Sequence, residues 1–448
     1  MNNYLLRDTV LDILIRIEKD NGFSHLLIDN ELRKQKIQAK DEGLLTEIVY
    51  GTMQYKLTLD YYLQNFIDQQ KKLDLWVRML LRMSVYQMVY LDKIPDHAII
   101  HEAVELAKRR GHKGIASLVN GVLRTIQRKG VPSTSQIKDD VKRLSIETSH
   151  PEWLVSRWVS TYGYETVEEM CKTNITRKHT AIRIQPLKIT RSEAMDRLRQ
   201  EGYEVSTSTL SSQGIIVEKG NILRSSLFKD GEITIQDQSS MLVGELLQAE
   251  PGMQVLDACS APGGKATHIA EKMLNKGRID AYDLHKKKAK RIEYKASDLG
   301  LSIIHASAQD ARSLQETHEL ESFDRILVDA PCSGLGVMRG KPEIKYHKQE
   351  EDIKRLADIQ LDILESTAPL LKKDGLLIYS TCTVDAAENE GVVKSFLSNN
   401  ASYTVDKTFF DELPESLKDA RGITSYGLQI FPQDEDTDGF FLTRIKRI

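Results

Sequence analysis

Two short runs each set a cysteine just past an apolar stretch: ILVDAPCSG carries Cys332, and LIYSTCTV carries Cys382 50 positions later. A lone free cysteine is more often inert filler than a nucleophile. Two thiols beyond the carboxyl ends of neighbouring strands reverse that expectation, because an open α/β sheet binds its ligands along that edge. A thiolate attacking carbon 6 of a pyrimidine turns carbon 5, otherwise a poor nucleophile, into an enamine carbon able to accept a sulfonium methyl. An acid near ring nitrogen 3 would neutralise the charge developing there, and Asp329 could supply it if burial raises its pKa. A second group must then help remove the carbon 5 proton and expel the thiol, a step for which Cys332 is the candidate. The same two cysteines could instead pair as an oxidation sensor, but nothing else in the sequence suggests redox switching.

The run VLDACSAPGGKAT also follows an apolar stretch, and its Gly263 and Gly264 permit a tight turn with close backbone approach. Aligning Gly264-Lys265 with a P-loop puts Cys259 at the first glycine position and Ala266 at the Ser/Thr position, so that motif fails twice. The dinucleotide fingerprint fails as well, since Ala261 and Pro262 precede the glycine pair. Asp283 ends the next apolar run, where a carboxylate can accept from both ribose hydroxyls. Asp310, after the third run, could accept from an adenine amino group. In that order the acids point to an adenosine cofactor such as S-adenosylmethionine.

The elements that must position these residues are legible from periodicity. Residues 1–130 read as an all-helical domain. The first run, YLLRDTVLDILIRIEK, places Leu5, Val10, Leu11, Leu14 and Ile17 near one face. KGVPSTSQ marks a linker, set at 131–144. Residues 145–235 read as a small α+β subdomain, and 236–448 as an α/β Rossmann-like domain with five apolar runs (MQVLDA, GRIDAYD, LSIIHA, DRILVDA, GLLIYST) alternating with helices. LQIFP and GFFLTRIKR read as a hairpin on the sheet edge.

Composition narrows the class. Charged residues are 28% and hydrophobics 40% of 448 residues, as in globular proteins, and no run reaches the roughly 20 apolar residues of a bilayer span. The N-terminus lacks a secretory pattern, so a cytoplasmic location is expected. Four cysteines spaced 88, 73 and 50 apart form neither a zinc pair nor a disulfide framework, and no metal is expected. Net charge is −3, yet residues 1–130 hold 20 Lys+Arg against 16 Asp+Glu. Basic clusters at 108–113, 124–129, 286–291 and 339–348 each read first as solvated faces.

CSAPGGKATHIAE, FDRILVDAPCSGLG, YSTCTVDAAENE and the C-terminal DGFF together resemble the motifs of the NOL1/NOP2/Sun RNA (cytosine-5) methyltransferases. TEIVYGT, IPDHAIIHEAVELAK and LVNGVLR resemble the NusB-like RNA-binding helical domain fused to the bacterial RsmB (Sun) branch of that family. The resemblance implies S-adenosylmethionine-dependent methylation of a cytidine in 16S ribosomal RNA, protein-free or in an early assembly intermediate. It implies no DNA or membrane partner, and a monomer is expected. It makes Cys382 the nucleophile and Cys332 the aid to product release. It carries cofactor positions onto Cys259, Ser260, Ala261, Pro262, Gly263, Gly264, Lys265, Asp283, Asp310 and Asp329. Ser260 stands where Ala is usual, and Ala266 where Thr is usual. Asn174 and Arg183 fall in a segment similar to one that suggests RNA contacts, and QDQSS at 236–240 resembles the start of the catalytic core or, equally, a polar helix cap. The same chemistry on transfer RNA, and a noncatalytic RNA-binding or antitermination factor, are the alternatives.

Overall fold

The computed structural model describes residues 5–34, 37–67 and 73–448. Residues 1–4, on which the leader reading rests, lie outside the described residues, as does Tyr4 of the first helical run. Two compact units emerge, one of residues 1–176 with 338–348 and the other of residues 177–337 with 349–448. No helix among the described residues is long and apolar enough to cross a membrane.

The first unit is helical: α1 (Leu5–Asp20), α2 (Ser24–Arg33), α3 (Glu42–Gln54), α4 (Lys56–Leu63), α5 (Leu75–Tyr90), α6 (Asp96–Arg110), α7 (Lys113–Lys129), α8 (Asp140–Thr148), α9 (Glu152–Tyr162) and α10 (Tyr164–Asn174). The expected apolar face of α1 is the one buried, with Val10, Leu11, Leu14 and Ile17 inaccessible beside Val49, Leu80, Leu106 and Leu123. The expected linker holds a 3₁₀ turn at Thr134–Gln136 and yields at Asp140 to α8, capped by Asp139. Packing divides the expected 145–235 subdomain. Helices α8 to α10 pack on one another and α8 on α4, so this part joins the first unit while the strands beyond it join the second.

The basic run at 339–348 departs from the solvated face expected of it. It is a strap within the first unit, where buried Glu343 accepts from the Ser24 amide (3.0 Å) and hydroxyl (2.9 Å). Lys345 Nζ donates to the Gln54 carbonyl at 3.0 Å, and Tyr346 to the Ser149 carbonyl at 3.0 Å. Pro342 and Ile344 of the run are buried with Glu343 and Lys345.

The second unit opens with a four-stranded antiparallel sheet: β1 (Thr180–Ile184), β2 (Glu204–Thr207), β3 (Gly214–Lys219) and β4 (Ile233–Ile235), in the order β2-β3-β1-β4. Helices α11 (Arg191–Gln200) and α12 (Ser226–Lys229) accompany it. Beyond α13 (Gln238–Leu246) comes the nine-stranded sheet. Its strands are β5 (Gln254–Asp257), β6 (Arg278–Asp283), β7 (Ile304–Ala308), β8 (Phe323–Asp329), β9 (Leu371–Thr381), β10 (Tyr403–Val405), β11 (Ile423–Thr424), β12 (Gly427–Ile430) and β13 (Phe440–Arg447). Helices α14 (Gly264–Lys272), α15 (Lys286–Asp298), α16 (Ile344–His347, in the first unit), α17 (Glu350–Thr367), α18 (Glu390–Asn399) and α19 (Thr408–Asp411) lie between or beside them. The order is β11-β12-β13-β9-β8-β5-β6-β7, with β9 to β7 mutually parallel and β12 and β13 antiparallel at one side. The five apolar runs are the parallel strands, and the expected hairpin is β12–β13. Strand order reverses between β5 and β8, which sets the ligand crevice beyond their carboxyl ends.

Candidate active site

Register brings the thiol half together. Asp329 ends β8 opposite Ser380 of parallel β9. Cys332 lies three residues past one and Cys382 two past the other, and their sulfurs are 3.3 Å apart. The Cys332 thiol is raised well above its ordinary value by its hydrogen bond to Cys382, by burial and by the Cys382 and Glu388 charges.

Several contacts fix the two loops. Buried Glu388 accepts from the Ser333 amide at 2.8 Å and from its hydroxyl, and from Gln360 Nε2 at 2.9 Å. Ser333 and Thr383 hydroxyls meet at 2.8 Å. The Gly336 amide donates to the Cys382 carbonyl at 3.0 Å, and the Gly439 amide to the Gly336 carbonyl at 2.9 Å. A Cβ on Gly336 would stand 1.8 Å from the Gly439 oxygen, and one on Gly439 would stand 2.4 Å from Val384 Cγ1. Both glycines are thus required by close approach, which gives the DGFF run a structural task beside the cysteines. Glu388 was not singled out in the sequence; its sign is the acid of DAAENE six residues after Cys382.

Asp329 stands in an ion pair rather than in the burial on which its reading as the acid depended. Its Oδ2 accepts from Lys265 Nζ at 2.7 Å, its Oδ1 accepts from Ser380 Oγ at 2.9 Å, and its side chain is 26% exposed. Burial works to lower the Lys265 ammonium, but the Asp329 carboxylate overrides it and Cys382 adds to the effect, so the ammonium is held above its ordinary value. The Lys265 head also lies 5.1 Å over the Phe440 ring.

The buried acid is Asp257, at the end of β5. It is fully inaccessible. Burial pushes it up to about 7 against the hydrogen bond from Ser260, with the Asp329 charge contributing. Nothing in the sequence separates Asp257 from any other strand-terminal acid.

The cofactor half follows β5. The Ser260 amide donates to the Tyr282 carbonyl at 2.7 Å and the Gly263 amide to the Ser260 carbonyl at 2.7 Å, folding the loop back before α14. Gly263 has φ +97°, and a Cβ there would lie 3.1 Å from Ile292 Cα, so both conformation and space demand glycine. Asp283 accepts from the His285 amide at 3.0 Å. Asp310 caps the turn after β7 and pairs with Arg312 at 2.7 Å; the Arg312 hydrogen bond holds its carboxyl below the ordinary value. The thiol of Cys259 is pushed well up by burial and then by Asp257, Asp329, Asp283 and Asp310, which puts four carboxylates around one loop. A ligand bearing cationic sulfonium and ammonium groups, as S-adenosylmethionine does, fits that acid-rich set.

Asn174 and Arg183 are both fully buried, which rules them out as surface RNA contacts. Asn174 Nδ2 meets His150 Nε2 at 3.3 Å inside the first unit. Arg183 reaches from β1 to α14, donating to Glu271 (2.8 Å twice), the Gly264 carbonyl (2.9 Å), Thr267 Oγ1 (3.1 Å) and Gln236. Asp237 of QDQSS does cap α13, and it also pairs with Lys178 at 2.7 Å.

Residues 245–446 match the family of the 16S rRNA methyltransferase RsmB/F, residues 5–128 the NusB family, and residues 150–223 the ferredoxin-like domain of RsmF/B-like methyltransferases. The probable ribosomal RNA small subunit methyltransferase B of Bacillus subtilis (strain 168) is 48% identical over 447 residues, covering 100% of both chains. Among solved structures, PH0851 superposes with a TM-score of 0.83 at 26% identity, covering 100% of this chain and 99% of its own. NSun6 from Pyrococcus horikoshii, solved with SFG, shares the fold over 66% of this chain and 98% of its own, with a TM-score of 0.59 at 21% identity.

Proposed function

Because this chain belongs to the RsmB/F family of S-adenosylmethionine-dependent 16S rRNA methyltransferases, we propose that it methylates carbon 5 of a cytidine through a covalent bond between Cys382 and carbon 6. The observation that carries this reading is the 3.3 Å thiol pair beside the Asp329–Lys265 pair. Cys382 is the thiol that ionises, while its hydrogen bond to Cys332 and burial raise the Cys332 thiol. The Lys265 ammonium, whose charge interacts with Cys382, stabilises that thiolate.

Attack on carbon 6 drives negative charge onto the ring, and Asp329 receives ring nitrogen 3 with Lys265 behind it as the source of the neutralising proton. Cys259 to Lys265, Asp257, Asp283 and Asp310 would hold S-adenosylmethionine, which when bound supplies a methyl group as an electrophilic sulfonium. Once the Cys382 sulfur is bonded to carbon, its hydrogen bond and charge no longer raise Cys332, while burial and Glu388 still do. Cys332 gives its proton to solvent and takes the carbon 5 proton; the electron pair of that C–H bond forms the carbon 5–carbon 6 double bond as the carbon 6–sulfur bond breaks and Cys382 leaves as a thiolate. The target must leave its stack to reach the thiols, which favours 16S RNA that is protein-free or early in assembly. In the first unit, the exposed Lys108, Arg109, Lys113, Arg124, Arg128 and Lys129 would supply phosphate contacts.

Methyl transfer from labelled S-adenosylmethionine to protein-free 16S rRNA and to bulk tRNA, with mass mapping, is expected to give 5-methylcytidine in the ribosomal RNA. Cys332→Ala should trap a protein–RNA band on a denaturing gel, and Cys382→Ala should abolish turnover and form no band. A band persisting in Cys382→Ala, or label away from carbon 5, overturns the reading; label confined to tRNA overturns the substrate.

A further inference from the structure

Helix α15 opens with KKKAKR, five cations in six residues, and Lys286, Lys287, Lys288, Lys290 and Arg291 are all exposed. This is the unfavourable end of a helix for them, because unpaired amides and the positive end of the macrodipole already lie there. The first turn carries no acid, and His285 at the N-cap makes no side-chain cap. Among the described residues the nearest carboxylate partner is Asp283, 3.9 Å from Lys288. Helix α17 of the same unit shows the ordinary arrangement, with Glu350, Glu351 and Asp352 in its first turn. A charge pattern that opposes the stability of its own helix marks a surface shaped by something other than folding.

The spacing is ordered. Lys286, Lys287, Lys290 and Arg291 recur four apart and share one face with Tyr294, whose side chain is 66% exposed. The N-terminus of the helix adjoins the site. The helix follows Asp283 at the carboxyl end of β6, and its buried side, opposite the basic face, packs Ile292 on Gly263, where a Cβ would come within 3.1 Å of the Ile292 Cα. The basic turns therefore stand on the same sheet edge as the cofactor loop.

We propose that this face of α15 docks the substrate RNA: Lys286, Lys287, Lys290 and Arg291 neutralise backbone phosphates near the target base, and Tyr294 offers a ring on which an unstacked base packs. The proposal rests on the RNA substrate argued above and assigns where on the second unit that RNA lies. Phosphates repeat along a strand as the cations repeat along the helix, and an exposed tyrosine amid cations suits a single strand.

The test compares the full-length protein with the variant Lys286→Gln/Lys287→Gln/Lys290→Gln/Arg291→Gln by filter binding to protein-free 16S rRNA across a salt series. The variant is expected to bind about tenfold or more weakly near 0.1 M salt, with a log–log salt slope shallower by about 2 to 3, as for four lost single-strand contacts. Its melting temperature and S-adenosylmethionine affinity should be unchanged or higher, since the cations oppose the helix dipole. Tyr294→Ala should weaken RNA binding by roughly fivefold while leaving the salt slope intact. Unchanged affinity and slope in the fourfold variant overturn the proposal, and so does an equal loss of S-adenosylmethionine binding. A wild type that binds through these cations yet yields no 5-methylcytidine would overturn the chemistry and leave the docking surface standing.

Discussion

Helix α14 carries an ion pair at each end, and the two could hardly be treated more differently. Near its last turn Glu271 meets Arg183 with both side chains fully inaccessible, and every arm is satisfied by Gln213, Thr267 and the Gly264 carbonyl. In its first turn Lys265 meets Asp329 with 13% and 26% of their side chains exposed, within reach of the charges of Cys382 and Asp257. The closed pair has spent all its donors on protein and can only hold the helix in place. The open pair keeps lone pairs and a proton available, which chemistry requires and stability does not.

Exchanging the open pair's acid should give the largest effect. Asp329→Asn is expected to lower kcat by about 10² to 10⁴ with little change in melting temperature, since an amide cannot pass a proton to the ring. A single-turnover assay beside a thermal melt checks this, and wild-type rates would erase the distinction between the two pairs.

Breaking the closed pair should do the converse. Arg183→Met strands the Glu271 carboxylate, already raised by burial, and should cost about 3 to 5 kcal/mol in stability. Denaturant unfolding measures it, and turnover per folded molecule should fall far less than in Asp329→Asn. A stable Arg183→Met would show that the helix needs no such clamp.

The last comparison runs through pH, where the effect accrues gradually. Asp257 titrates near 7 in the folded protein because it is buried, against about 3.8 ordinarily. Unfolding therefore releases a proton between those values, and stability falls as pH rises through that window, by up to about 4 kcal/mol in the cofactor-free protein. Asp257→Asn should remove this slope in melts from pH 4 to 8. A slope that survives would assign it to another group.

Some features were legible because they are local. Apolar alternation located all five parallel strands, and the 3.6-residue period found the buried face of α1. The glycine pair announced a tight turn before α14, since backbone geometry is written in one or two residues. Burial was less legible. Arg183 reads as an RNA contact and the 339–348 run as a solvated face in sequence, yet Arg183 and Lys345 are inside, because a long cation can be enclosed when its donors find acceptors from distant segments. Asp257 and Asp329 end neighbouring strands alike, and their sequence surroundings gave no sign of which would be desolvated.

By itself the sequence determined the elements, their order and the inventory of groups near the sheet edge, because periodicity and turn chemistry act over a few residues. Only the tertiary structure decided which of those groups meet. Parallel pairing of β8 with β9 sets Asp329 against Ser380 and the two sulfurs within 3.3 Å. Packing decides which acid is dry and which lysine is paired, because solvation and charge depend on distance through space rather than along the chain.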